Sequence, residues 1–434
     1  MRLEITGTFL LLVFIFASTQ LAQAQSAGEP GTGKLESLSV TGSKRFTEDQ
    51  LRAASGLHIG DAVGRADLQA AADRLTATGY FSNVQYRFSS AAADVSLQIQ
   101  VADGPEVPIF FDNFPWFTDD ELLKALRNSL PIFDGATPPA GQLLDQMDQI
   151  LANLLPSRGI HAAVVHDLID SPGSETLVAR FQVNGASLAV SAVEFSNSLA
   201  SQDARVQARF SDVVGKPFSR FAAELFVFES VRPVYLEKGF LRAAFGPPQA
   251  MFRGDPNKPL PSTVVVQIPI DPGPVFTWGS ASWSGNHAIS SSELDALLGL
   301  KKGDIADGMK IQAAWNRVAQ EYGKNGYLEA KVEPQENLDE AAHRCSPVVH
   351  ITEGVQYRMG DLVLTNLSLE SEKRARAAWK IPKGEVFDEG YFDLFISKGI
   401  KDALSGLPVS LGHIEHFLRT NPQTATVDVL INFD

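Results

Sequence analysis

Histidine is the side chain best suited to ligate a metal or carry a proton near neutral pH, and the chain holds 8 of them. His413-x-x-His416 has a suggestive spacing. It falls in a strand-like run, where residues three apart face opposite sides, and no third ligand follows. His343, Cys345 and His350 make no better cluster. Asp119-Asp120-Glu121 reads as the acidic first turn of a helix rather than a catalytic pair. Trp278, Trp283 and Trp315 read as core anchors. There is no Walker loop, nucleophile elbow or zincin motif. No catalytic residue, metal ligand or cofactor is therefore assigned, and the chain reads as a non-enzyme. The aromatic run from Phe110 to Phe117 is different in kind: Phe114-Pro115-Trp116-Phe117 exceeds what one turn can bury, so Phe114, Trp116 and Phe117 are expected to form an exposed contact.

The elements that would carry such contacts come from a repeat. A glycine followed by an apolar residue and a β-type run occurs at Gly79, Gly159, Gly239, Gly326 and Gly406, at intervals of 80, 80, 87 and 80 residues. A second series, Gly104, Gly185, Gly273 and Gly354, each near an acid or amide, is spaced by 81, 88 and 81. The longer interval falls on the third unit in both series. That unit contains Gly246-Pro247-Pro248 and Asp255-Pro256-Asn257-Lys258-Pro259, an extended turn between two strands.

Within the first unit, Leu35–Val40 alternates as a half-buried strand, and Thr47 and Gln50 fit an N-cap with its N3 partner. Arg65–Thr78 places Leu68, Ala71, Ala72 and Leu75 on one helical face and ends at Gly79, in the position that needs a left-handed backbone. Strands follow at Val84–Phe88 and Val95–Val101. Later units repeat the order, the fifth with a helix over Glu389–Leu404 and strands at Val409–His416 and Thr426–Phe433. The predicted fold is α+β, with five tandem β-α-α-β-β modules at 34–104, 105–185, 186–273, 274–354 and 355–434. Each is a three-stranded mixed sheet with two helices on one face. The links are so short that neighbours should touch and form an elongated, semi-rigid rod.

Composition limits the partners. At 434 residues, 44% hydrophobic and 20% charged, the chain is ordinary globular protein. A net charge of −14 argues against nucleic acid, which selects a basic surface. Arg2, the apolar run Phe9–Ala17 and Ala22-Gln23-Ala24 read as a cleavable export signal over residues 1–24, with an uncleaved anchor as the alternative. Nine apolar residues are too few to span a bilayer, which needs about 20. Cys345 is the only cysteine, so stability has to come from packed cores, and Cys345 itself reads as a buried apolar residue.

The β-α-α-β-β unit of this length resembles the POTRA (polypeptide-transport-associated) domain. The resemblance is carried by Leu57-His58-Ile59-Gly60-Asp61 and Leu300-Lys301-Lys302-Gly303-Asp304 between helices. It is also carried by the run Thr352-Glu353-Gly354-Val355-Gln356-Tyr357-Arg358-Met359-Gly360 at a junction between modules. It covers residues 34 to 434 and implies the periplasmic part of an outer-membrane barrel-assembly factor. Because the last strand stops at the end of the chain, no barrel is expected here. The resemblance further implies that the second strand of a module is a sheet edge. An edge exposes unpaired N–H and C=O groups that an extended client can pair with. Candidate positions are Val84, Tyr86 and Phe88, then Val164 and His166, then Val409, Leu411 and His413.

The reading is a periplasmic polypeptide-binding scaffold associated with the outer membrane. Its partners would be unfolded or extended clients and components of outer-membrane assembly or secretion, with membrane contact only through them. A truncated or split insertase whose barrel is separately encoded stays open as an alternative, and so does an envelope enzyme or polymer-binding protein using the same scaffold.

Overall fold

The computed structural model describes residues 33–91, 94–253, 262–407 and 413–433. The export-signal stretch, Val409 and Leu411 lie outside the described residues. Two compact units divide the chain. The first takes Met1–Phe110, Thr118–Ile169 and Leu177–Phe181, and the second takes Phe111–Phe117, Asp170–Thr176 and Gln182–Asp434. The fold is mixed α+β, built from several small mixed sheets. No described helix is long and apolar enough to cross a membrane.

The first unit opens with strand β1 (Gly33–Thr41), helices α1 (Glu48–Ser55) and α2 (Arg65–Ala77), and strands β2 (Phe81–Ala91) and β3 (Asp94–Asp103). β3 is central: it runs parallel to β1, with Leu38 opposite Leu97, and antiparallel to β2, with Tyr86 opposite Ile99. Alternation on β3 buries Val95, Leu97, Ile99 and Val101 under Leu68, Ala71 and Leu75 of α2. One sheet face is thus covered by helices and the other is left to solvent. The Thr47–Gln50 capping box forms as expected, and α1 stops at Gly56 in a left-handed conformation.

The next stretch repeats this with β4 (Val107–Phe111), α3 (Asp119–Ser129), α4 (Gln142–Leu154), β5 (Ala163–Asp170) and β6 (Leu177–Asn184). Asp119 and Asp120 occupy the first turn of α3, behind a Thr118–Glu121 capping box. Both of these sheets are four-stranded, not three-stranded as expected. The chain leaving the first helix adds a two-residue strand, Ala62–Val63 on β1 and Ala136–Thr137 on β4.

In the second unit, β7 (Ala189–Phe195), β8 (Gln249–Met251) and β9 (Thr263–Ile268) form a sheet with β9 in the middle. Helices α5 (Ser198–Gln202) and α6 (Ala204–Ala208) precede a longer rod made of α7 (Arg220–Phe226), a π turn over Val227–Val231, and α8 (Arg232–Glu237). The π turn meets α8 where Pro233 lacks the N–H an α-helix would require and crowds the preceding carbonyl.

Next come β10 (Ser282–Ser284), α9 (Ser291–Leu298), α10 (Gly308–Lys324), β11 (Lys331–Gln335) and β12 (Val348–Thr352). This stretch also holds a second small sheet of Thr277–Trp278, Leu338–Asp339 and Arg344–Cys345. Trp278 is core, while Trp283 and Trp315 meet edge-to-face at 6.1 Å beside it.

The last stretch comprises β13 (Arg358–Thr365), α11 (Leu369–Ala378), α12 (Glu389–Leu394), a π turn over Phe395–Gly399, α13 (Ile400–Ala403), β14 (Ile414–Asn421) and β15 (Thr426–Phe433). The strand expected at Val409–His416 therefore lies further along the chain. The hairpin sets its register: Asn421 pairs with Thr426, its side chain accepts from the Gln423 and Thr424 amides, and pairing runs back to Ile414 opposite Phe433.

Candidate polypeptide-binding edges

Every sheet that follows this order has a central third strand, so two edges need satisfying. The edge of the first strand is covered locally. Ala62–Val63 pairs with β1 and Ala136–Thr137 with β4. Single bridges do the same elsewhere, Ala189 to Pro217, Thr277 to Ile305, and Arg358 to Val386. In each case the covering residues come from the link between the helices, just after a break such as Gly60-Asp61 or Gly303-Asp304. The opposite edge is the second strand, which ends its sheet at β2, β5, β8, β11 and β14.

These five edges are unequal. β2 has 11 residues and β5 and β14 have 8 each, whereas β8 has 3 and β11 has 5. β11 also contains Pro334, opposite Val349, which cannot donate to an added strand. Three long edges remain; β2 and β5 carry candidate positions chosen from sequence, whereas β14 starts at Ile414, past Val409, Leu411 and His413.

On β2 and β5 the side chains at those positions lie on the half-buried face. Val84, Tyr86 and Phe88 are half-buried and alternate with exposed Gln85 and Arg87, and the Tyr86 hydroxyl donates to Gln69 on α2 at 2.9 Å. Val164 is buried. His166 Nδ1 lies 2.7 Å from Asp148 on α4, its ring against Phe181. Burial pushes the Asp148 carboxyl up, and the His166 hydrogen bond only partly opposes that. An added strand would thus meet the main-chain edge and the outer faces of Gln85 and Arg87. His413 is exposed just before β14. Sequence reasoning missed Phe417, which lies on β14 with 60% of its surface exposed, because it placed the strand too early.

The aromatic contact expected at Phe114, Trp116 and Phe117 is overturned. Phe114 and Trp116 are only 2% and 9% exposed, and Phe117 is half-buried. Phe114 packs edge-to-face on Phe111 at 5.8 Å, and Asn113 clamps the segment by exchanging two hydrogen bonds with Val183. Asp112 Oδ1 accepts from the Ser219 hydroxyl and the Phe221 amide. Non-local partners bury rings that the turn alone could not.

A family model for POTRA, described as "Surface antigen variable number repeat", matches residues 34–104 and 276–354. Two stretches of this chain match the POTRA family. Among curated proteins, this chain is 22% identical over 222 residues to a "Putative outer membrane protein assembly factor" of Treponema pallidum (strain Nichols). That match takes in 51% of this chain and 25% of the relative, so the chain spans about a quarter of the length of the relative it matches. Among solved structures, Haemophilus influenzae BamA POTRA3-5 aligns over 57% of this chain and 97% of its own at 17% identity, TM-score 0.43. The N-terminal domain of Omp85 from Thermosynechococcus elongatus aligns over 58% and 98% at 13% identity, TM-score 0.26.

Proposed function

We propose that this chain is a non-enzymatic polypeptide-binding scaffold of five POTRA-like modules, at 34–104, 105–185, 186–273, 274–354 and 355–434. It would act in the periplasm, in assembly of outer-membrane proteins or in secretion. Extended client segments add as a further strand to β2, β5 and β14. The observation that carries this reading is the asymmetry of the sheets: the first-strand edge is covered by the chain's own link, and the second-strand edge ends the sheet.

Energetics favour many weak contacts. Only about half of the main-chain groups on an edge point outward, and each new hydrogen bond adds about 1 kcal/mol net. Association costs at least about 4 kcal/mol in lost freedom. One edge therefore binds weakly and tolerantly of sequence, and several edges on one chain supply avidity.

Site-specific photo-crosslinking in the producing cell tests it. A crosslinker at Gln85, Arg87 or Phe417 should capture outer-membrane or secreted polypeptides, whereas one at an exposed helical position such as Gln149 should not. Equal capture from both sets, or none from the edges, would rule the reading out.

A further inference from the structure

We infer that Asp145, Asp148 and His166 form a binding site for one divalent transition-metal ion of the zinc type, tying edge strand β5 to helix α4. One ligand atom from each of the three lies within 4.8 Å of the others. Asp145 and Asp148 are three residues apart on α4, which places them on one helical face. His166 approaches from β5, its Nδ1 already 2.7 Å from Asp148 Oδ2.

A second observation singles this cluster out from ordinary surface acids. Asp148 keeps only 13% of its side-chain surface exposed, and its other carboxylate oxygen, Oδ1, is buried with no hydrogen-bond partner. A buried carboxylate oxygen without a donor is costly. A cation at this point removes that cost, which the single bond from His166 does not. Asp145, the third residue of the group, is exposed.

The donor set selects the metal. One imidazole nitrogen with two carboxylates suits zinc and its neighbours, whereas calcium and magnesium prefer all-oxygen shells of six or more ligands. Three protein ligands leave a position for water. On binding, the ligand nitrogen of His166 must be the unprotonated one, so any hydrogen on it moves off. The consequence is mechanical: strand and helix, which the His166–Asp148 hydrogen bond already links, are joined through the ion. The inference does not depend on what β5 binds.

The test uses the full mature chain, stripped of metal with chelator, and zinc or cobalt(II) as the only probe. Wild type should take up one more equivalent of zinc than Asp145→Asn or His166→Gln, with affinity at the site weakened by at least about tenfold in each. Cobalt(II) should give a visible absorption band in wild type that both variants lose. Asp145→Asn removes an exposed ligand and leaves the His166–Asp148 hydrogen bond in place, so it reports on the site even if His166→Gln disturbs the fold. Identical zinc uptake and identical cobalt spectra in wild type and Asp145→Asn would overturn the inference.

Discussion

The Tyr357 amide donates to the Gly326 carbonyl at 2.7 Å, and the Tyr357 carbonyl lies 2.6 Å from where a Cβ on Gly326 would stand. The same contact recurs at Gly239, whose carbonyl accepts from Phe276 and whose Cβ would meet the Phe276 carbonyl at 2.8 Å. At Gly79 the obstruction is the Ala140 carbonyl, at 2.1 Å. These three glycines have two duties: a left-handed φ of +81 to +83° and a close approach to backbone from elsewhere in the chain. Gly159 has only the first, since nothing lies within 4 Å of its Cβ position. Alanine at Gly159 should cost about 1–2 kcal/mol for the left-handed backbone alone. Alanine at Gly326 or Gly79 should cost clearly more, because backbone has to shift. Denaturant melts of the variants compare them directly.

An extended peptide recovered by crosslinking at β2 should bind through its main chain. N-methylation of alternate amides on its pairing edge should abolish binding, since each methyl removes a donor and blocks approach. Methylation of the other set should leave affinity within about threefold, a change of under 1 kcal/mol. Titration calorimetry distinguishes the two, and equal losses would indicate side-chain recognition instead.

Arg45 grips its surroundings with a planar fork. Its Nε and Nη2 donate to Asp134 at 2.9 Å each, Glu106 pairs with it, and the guanidinium lies 4.8 Å from the Tyr80 ring centroid. The Tyr80 hydroxyl in turn donates to the Ala136 carbonyl at 2.7 Å. Arg45→Lys keeps the charge but loses the bidentate bond and the stacking, and should cost about 1–2 kcal/mol. Chemical denaturation of the two proteins measures it.

Glu389 should make stability depend on pH. Burial, then the nearby Asp393, holds its carboxyl above the ordinary range, outweighing the favour a helix N-terminus gives a carboxylate. Its folded pKa lies above the unfolded one. Ionised Glu389 therefore opposes folding above the folded value, and that opposition vanishes below the unfolded value of about 4.3. Glu389→Gln should melt about 1–2 °C higher than wild type at pH 7, with the difference gone below about pH 4. Thermal melts across that range test the sign.

Cys345 should be silent in the native protein. It is 3% exposed, and burial, with Glu336 adding to it, pushes its thiol up to about 11. At pH 8 only about one thiol in a thousand is ionised. A thiol-specific chromogenic reagent should leave native protein unmodified for hours and react at once in denaturant.

Much of the fold is local and so was legible in the residues. Capping pairs such as Thr47 with Gln50, the C′ glycines and the alternation of Val95, Leu97, Ile99 and Val101 act within a few positions of themselves, and each appears as read. Tertiary structure decided what depends on distant partners. Phe114 and Trp116 are buried because Asn113 and Asp112 reach residues about 70 to 109 positions away. β14 begins at Ile414 because its register is set by the partner strand and the Asn421 turn. Which edge of a sheet is covered follows from where one or two residues of the link between the helices settle. The Asp145–Asp148–His166 group, too, exists only once β5 lies beside α4. Helix caps and strand alternation are encoded in neighbours along the chain, whereas edges, burial of a loop and ligand clusters are made by elements that meet only in space.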